Sequence, residues 1–132
     1  MFTYMFNYDF LMWLYIINSV LIISHEIDSA YYKEWTLFKL PYGRTSFMII
    51  HFFLLLFILY GLLLLATGAA LGFFFSLLLS SGGIFAFLIH MYFIKIGRPE
   101  FKSFISIFIL TSMFIISTIQ MAIILFGSIT VV

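Results

Sequence analysis

Residues 25–43 read HEIDSAYYKEWTLFKLPYG and interrupt a chain that is otherwise almost entirely apolar. This segment contains three of the five acidic residues and one of the three histidines. It follows an apolar run of about 20 residues, the length that crosses the hydrocarbon core of a bilayer. The segment is therefore predicted to leave the membrane after a first transmembrane helix.

The composition indicates an integral membrane protein with a single domain over residues 1–132. Hydrophobic residues make up 65% of the chain and charged residues 8%, whereas about 25% is usual in soluble proteins. The absence of cysteine excludes disulfides and thiolate metal sites. No basic patch is present, so nucleic acid is not expected as a partner. The first apolar run lacks both a basic leader and a cleavage motif, which predicts a retained helix.

Hydropathy predicts an all-α transmembrane bundle of four helices, with a short interfacial helix at residues 31–40 after the first span. Residues 67–72 are predicted to form a tight turn because they are rich in glycine and alanine. Pro99 is predicted to lie in the first turn of the fourth helix, where its missing N–H costs little. The four predicted spans cover approximately residues 10–29, 45–66, 73–94 and 101–126.

The basic residues predict the orientation in the cell membrane. With four spans, the two charged loops lie on one side of the bilayer, and both termini and the 67–72 turn lie on the other. Cytoplasmic loops carry an excess of lysine and arginine, so the charged loops are predicted to be cytoplasmic and both termini outside. All six basic residues lie in or beside those loops: Lys33, Lys39, Arg44, Lys95, Arg98 and Lys102.

The three histidines are predicted to lie at one depth in the membrane. His25, His51 and His90 belong to three different spans. At 1.5 Å per residue, each lies roughly 8–12 Å from its nearest basic residue along the chain. Ionisable residues at such depths are costly unless they face the interior of the bundle, so they are candidates for a functional site.

One interpretation of these histidines is that they bind a metal ion. His25 and Asp28 are three residues apart and share a helix face. Imidazole and carboxylate ligands suit zinc or non-haem iron, and Glu26 or Glu34 is the candidate general base. The protein would then act on a lipid or quinone reached from the inner leaflet. The predicted metal ligands are His25, Asp28, His51 and His90.

Several other interpretations fit the same residues. A polar network could hold the helices together, in an accessory subunit of a membrane complex or a homo-oligomer without enzymatic activity. Proton passage along Asn18, His25 and Asp28 is a third hypothesis, and a haem held by two histidines is a fourth. Two further patterns concern helix packing. One face of the fourth span, with Gln120, Ser117 and Ser106, predicts interhelical hydrogen bonds. One face of the third span predicts close approach of a neighbouring helix and contains Ser76, Ser80, Gly83 and Ala86.

The 25–43 segment resembles the signature of a family of small, uncharacterised bacterial membrane proteins of unknown function. That signature reads His-Glu-Leu/Ile-Asp, then an aromatic stretch, Glu-Trp and a Leu-Pro stop, over about residues 18–61 of this chain. The resemblance implies a multi-pass membrane protein and implies no activity. Tyr42 stands where the signature has glycine. The matching positions are His25, Glu26, Asp28, Glu34, Trp35 and Pro41.

Overall fold

The computed structural model describes residues 5–130 and consists mainly of helices. Its four long helices have 23 to 25 residues each and are apolar enough to cross a membrane. At 1.5 Å per residue each is about 35 Å long, which exceeds the roughly 30 Å hydrocarbon core. The predicted all-α membrane fold is confirmed. The helices are α1 (Tyr8–Tyr31), the short α2 (Glu34–Leu37), α3 (Arg44–Ala66), α4 (Leu71–Lys95) and α5 (Phe104–Phe126).

The start of α5 differs from the sequence prediction. Phe101 has a φ of +67°, which no right-handed helix accommodates, so the predicted start at residue 101 and the placement of Pro99 in the first turn are wrong. Ser103 caps the helix instead, because its Oγ accepts a hydrogen bond from the Ser106 backbone N–H at 3.2 Å. The hydroxyl of Ser106 also bonds to Ser103, at 2.7 Å, so Ser106 serves this cap rather than an interhelical contact.

The connections place the two charged loops at one end of the bundle. The α1–α3 connection, which includes α2, and the α4–α5 loop lie at this end. The turn between α3 and α4 lies at the other end, with Gly68 at a φ of +71°, as predicted. The ends of the described chain also meet there, because β1 (Met5–Asn7) pairs in parallel with β2 (Ser128–Thr130).

A buried polar network joins α1, α4 and α5 away from the charged loops. Asn18 donates to Oε1 of Gln120 at 2.9 Å, and Ser117 donates to Oδ1 of Asn18 at 3.1 Å. Gln120 in turn donates to Oγ of Ser76 at 2.6 Å. These side chains have no solvent exposure, and such bonds hold helices together in a medium without water. The predicted interhelical roles of Gln120 and Ser117 are confirmed.

The small residues of α4 allow close packing, also as predicted. Gly83 is buried against α5, and a Cβ at this position would overlap Oγ of Ser117. Tyr15 of α1 donates from its hydroxyl to the backbone carbonyl of Ile58 in α3 at 2.8 Å. The four long helices are therefore joined by specific contacts as well as by apolar packing.

Candidate functional site

The short helix α2 folds against the membrane helices and brings a carboxylate to the histidines. Trp35 packs its ring against Phe47 of α3, with centroids 5.3 Å apart. Just after α2, Phe38 packs against Phe93 of α4 at 5.5 Å. These contacts on both sides hold α2 in the bundle. Glu34, its first residue, is only 6% exposed as a result.

His25, Glu34 and His90 form the first of two clusters, here named the inner cluster. The rings of His25 and His90 lie edge to face with centroids 4.5 Å apart. Nε2 of His90 lies 3.0 Å from Oε1 of Glu34. One potential ligand atom from each of the three residues lies within 4.8 Å of the other two. Ligands of a tetrahedral zinc ion, each at about 2.1 Å from the metal, are separated by roughly 3.4 Å.

Phe101 covers the inner cluster from the α4–α5 loop. Its ring centroid lies 4.3 Å from that of His90 and 5.9 Å from that of His25. The side chain is 1% exposed. This packing against two rings accounts for the strained backbone of Phe101 and shields the histidines from water. No pattern in the sequence distinguishes it from the 18 other phenylalanines.

The hydrogen bond of His90 to the backbone determines which of its ring nitrogens has a free lone pair. Nδ1 lies 2.7 Å from the backbone carbonyl of Ala86, one turn earlier. A carbonyl oxygen has no proton to give, so Nδ1 must carry the hydrogen, and a neutral ring then has its lone pair on Nε2. This Nε2 has no hydrogen-bond partner with acceptable geometry within residues 5–130, and neither has Nδ1 of His25. Both rings are 2% exposed.

Glu26, Glu34 and His51 form the second cluster, here named the outer cluster because two of its members are partly exposed. Their potential ligand atoms also lie within 4.8 Å of one another. Nε2 of His51 is in contact with Oε2 of Glu26. Nδ1 of His51 lies 2.6 Å from the backbone carbonyl of Phe47, and the Phe47 ring stacks on the imidazole at 3.8 Å. Glu34 is thus shared by both clusters.

Glu34 retains its negative charge in this environment. Burial acts to raise the pKa of its carboxyl. Contact with His90, and the positive charges of His90 and His25 when protonated, outweigh burial and hold the pKa of Glu34 below its ordinary value. The side chain is therefore a carboxylate at neutral pH and can accept a cation.

Asp28 lies outside both clusters, although its spacing from His25 predicted that the two would act together. Its Oδ2 is buried without a hydrogen-bond partner among the described residues. The nearest polar contact of His25 within its own helix is Ser29, with Oγ 3.5 Å from Nε2. Asn18 belongs to the network with α5, and the buried Ile22 lies between it and His25 in the sequence. Asn18 is therefore bonded to α5 rather than to His25, and proton or ion passage along these residues stays a prediction.

A cavity of about 340 Å³ opens beside the two clusters, between α3 and α4. A smaller cavity of about 100 Å³ shares Leu54 and Gly82 with it, and a third, of about 350 Å³, continues from Phe57. We name this series the α3–α4 groove. Its rim includes the exposed side chains of Ile50 and Phe85. Apart from the site residues, the lining of the first cavity is apolar: Phe38, Leu40, Phe47, Ile50, Leu54, Gly82, Phe85, Ala86 and Ile89.

Comparison with known protein families gives one match, the family of unknown function DUF6713, over residues 11–126. The chain belongs to this family. The DUF6713 match contains all the long helices except the first turn of α1, and it contains both clusters. No curated protein and no solved structure matches the chain.

The potential metal ligands of this DUF6713 chain are nitrogen and oxygen atoms. The two clusters together provide three imidazoles and two carboxylates. Nitrogen and oxygen donors of this kind suit zinc and non-haem iron. The carboxylates lie in direct contact with Nε2 of His51 and Nε2 of His90, so an ion bound here would take the place of these two contacts.

Proposed function

We propose that this chain is a metal-binding integral membrane protein, with zinc or non-haem iron bound by His25, Glu34 and His90. The observations that carry the proposal are that Nδ1 of His25 is buried without a hydrogen-bond partner among the described residues, and that Nε2 of His90 faces the Glu34 carboxylate at 3.0 Å. An unpartnered polar atom in an apolar interior is costly, and a metal ion bound by all three residues would satisfy it. The backbone carbonyl of Ala86 fixes the tautomer of His90, as partners behind metal-ligating histidines do. Glu34 is therefore assigned as a ligand rather than as the base.

The substrate class follows from the α3–α4 groove. The groove is polar at the clusters and apolar along its length, and it opens between two helices long enough to span the bilayer. From His51 to Tyr60 it follows α3 for about 13 Å. These features support a lipid or quinone that enters from the bilayer, with its head group at the ion and its tail in the groove. A bound ion would polarise an oxygen of that head group.

The charge distribution supports the orientation within this proposal. All six basic residues lie near the end of the bundle that carries the two clusters. By the positive-inside rule this end faces the cytoplasm of the cell membrane, and both termini face outside. The whole chain, residues 1–132, then acts as one transmembrane domain.

A second candidate function is that of an accessory subunit or homo-oligomer in which the clusters are structural. It is favoured by the network of Asn18, Gln120 and Ser117, whose hydrogen bonds join α1 to α5. Buried polar groups in this chain therefore do hold helices together. The inner cluster differs from that network, because it leaves Nδ1 of His25 without a hydrogen-bond partner among the described residues.

Metal analysis distinguishes the two functions. The purified protein is loaded with Zn²⁺ or Fe²⁺, passed over a desalting column and analysed for bound metal. The metal-binding function predicts at least about one ion per chain, and about one ion fewer in a His25→Ala/His90→Ala double variant. Asp28→Asn is the matched control and should keep its metal, because Asp28 lies in neither cluster. Absence of bound metal in a folded wild-type protein, or equal metal in the double variant, would contradict the proposal.

A further inference from the structure

We propose that the site holds two metal ions, one in the inner cluster and one in the outer cluster, with Glu34 as their shared ligand. This inference rests on the proposed function and deepens it, because it assigns roles to Glu26 and His51. The first observation is that Glu34 is the one residue common to both groups of potential ligands within the described chain. A carboxylate has two oxygens and can therefore bind one ion with each.

The second observation is that His51 is arranged in the same way as His90. Each ring directs Nδ1 to the backbone carbonyl four residues earlier, Phe47 for His51 and Ala86 for His90. Each ring then presents Nε2 to a glutamate, Glu26 or Glu34 respectively. One histidine arranged this way is common in helices. Two such histidines on adjacent helices, both beside a shared carboxylate, indicate a binding site.

The contact between His51 and Glu26 requires either a proton or a metal ion. With Nδ1 protonated, a neutral His51 has a lone pair on Nε2, which would face the lone pairs of an ionised Glu26, and two facing lone pairs repel. A proton satisfies only the His51–Glu26 pair. A divalent ion that replaces this proton would be bound by His51, Glu26 and Glu34 together, whose potential ligand atoms lie within 4.8 Å of one another.

The charge of the two carboxylates also supports a second ion. Glu26 and Glu34 lie within 4.8 Å of each other by their closest ligand atoms. Two carboxylates this close together repel each other in a medium of low dielectric constant. Two cations bound by these carboxylates, with Glu34 as a bridge between them, remove this repulsion. In two-metal sites the ions lie about 3.5–4 Å apart.

The test is the metal-to-protein ratio together with the magnetic interaction between the ions. Zinc-loaded wild-type protein should contain about two ions per chain, and a His51→Ala variant about one. Glu34→Gln should lower occupancy of both sites, whereas Asp28→Asn should still bind about two ions. Each variant is first checked for helix content and for a single species by size exclusion. Mn²⁺-loaded wild-type protein should give the electron paramagnetic resonance spectrum of a coupled pair, and His51→Ala that of an isolated ion.

The outcomes separate this inference from the proposed function. One ion in the wild-type protein, unchanged in His51→Ala, would overturn the second ion and leave the proposed function intact. Two ions with the spectrum of isolated Mn²⁺ would overturn the sharing of Glu34. No bound ion in any folded variant would overturn both the inference and the proposed function.

Discussion

Nε2 of His90 lies 3.0 Å from Oε1 of Glu34, and this contact joins α4 to a helix of only four residues outside the membrane spans. Both side chains are almost fully buried, at 2% and 8% exposure. The α1–α3 connection is therefore part of the site and does not merely lie on the membrane surface. It supplies Glu34, which contacts His90 and, among the described residues, is the carboxylate that belongs to both clusters.

Blocking the α3–α4 groove should prevent ligand binding and leave the metal in place. Leu54 lines two of its cavities and provides no metal ligand. A Leu54→Trp substitution fills this space, so we expect ligand affinity to weaken roughly tenfold or more, which corresponds to about 1.4 kcal/mol or more. Binding of a labelled phospholipid and of a quinone measures the effect. Leu59→Trp is the control, since Leu59 is 59% exposed on the same helix. Equal loss in both variants would argue against the groove.

Adding one methyl group at Gly83 should weaken the contact between α4 and α5. The new Cβ would overlap Oγ of Ser117 and lie 3.3 Å from Cγ of Met113. We expect a loss of about 1–3 kcal/mol in the free energy of unfolding, measured by denaturant titration in mixed micelles. Gly82→Ala provides the matched comparison, because nothing lies within 4 Å of its Cβ position. Gly82→Ala should be neutral, or stabilising by up to about 1 kcal/mol.

Removing Asn18 should affect stability without affecting the metal. Asn18→Leu leaves Oε1 of Gln120 without its donor and Ser117 without its acceptor. Bonds of this kind in membrane proteins contribute about 0.6–1.7 kcal/mol, and we expect a loss in this range in the free energy of unfolding. Ala30→Leu, at an exposed position of the same helix, is the control. Loss of bound metal in the Asn18→Leu variant would mean that the structure of the clusters depends on this network.

Cysteine labelling tests the orientation directly, because the natural chain has no cysteine. Gly68→Cys lies in the turn between α3 and α4, and Tyr42→Cys lies in the charged α1–α3 connection, where Tyr42 is 90% exposed. A membrane-impermeant maleimide added to intact cells should label the first variant. It should label the second only after the cells are permeabilised. The reverse pattern would overturn the cytoplasmic placement of the clusters.

The sequence predicted four long apolar helices, and it predicted that the three histidines lie at one level of the bundle, because both depend on simple distances along helices. Apolar runs of the right length indicate transmembrane helices, and a rise of 1.5 Å per residue brings residues on different spans to similar depths. The rotation of each helix about its axis does not follow from these distances, because it is determined by packing against neighbouring helices. Helix α1 contacts both α3 and α4, so residues on two of its faces are buried.

The roles of Glu26 and Asp28 depend on that rotation. His25 and Asp28 share a face by spacing, which favoured them as a pair. In the structure His25 packs on His90 of α4, while the adjacent Glu26, about 100° round the helix, contacts His51 of α3. The burial of Glu34 was equally beyond prediction from the sequence. Its charged, aromatic surroundings are typical of the membrane interface, and its burial depends on tertiary contacts of Trp35 and Phe38.

X-ray absorption at the zinc edge of zinc-loaded protein would show whether buried imidazole and carboxylate groups bind a metal ion. We expect nitrogen and oxygen ligands at about 2.0–2.1 Å, with outer-shell scattering from imidazole rings that is reduced in the His25→Ala/His90→Ala variant. A spectrum of oxygen ligands alone, without imidazole scattering and unchanged in that variant, would rule out a metal ion at these residues.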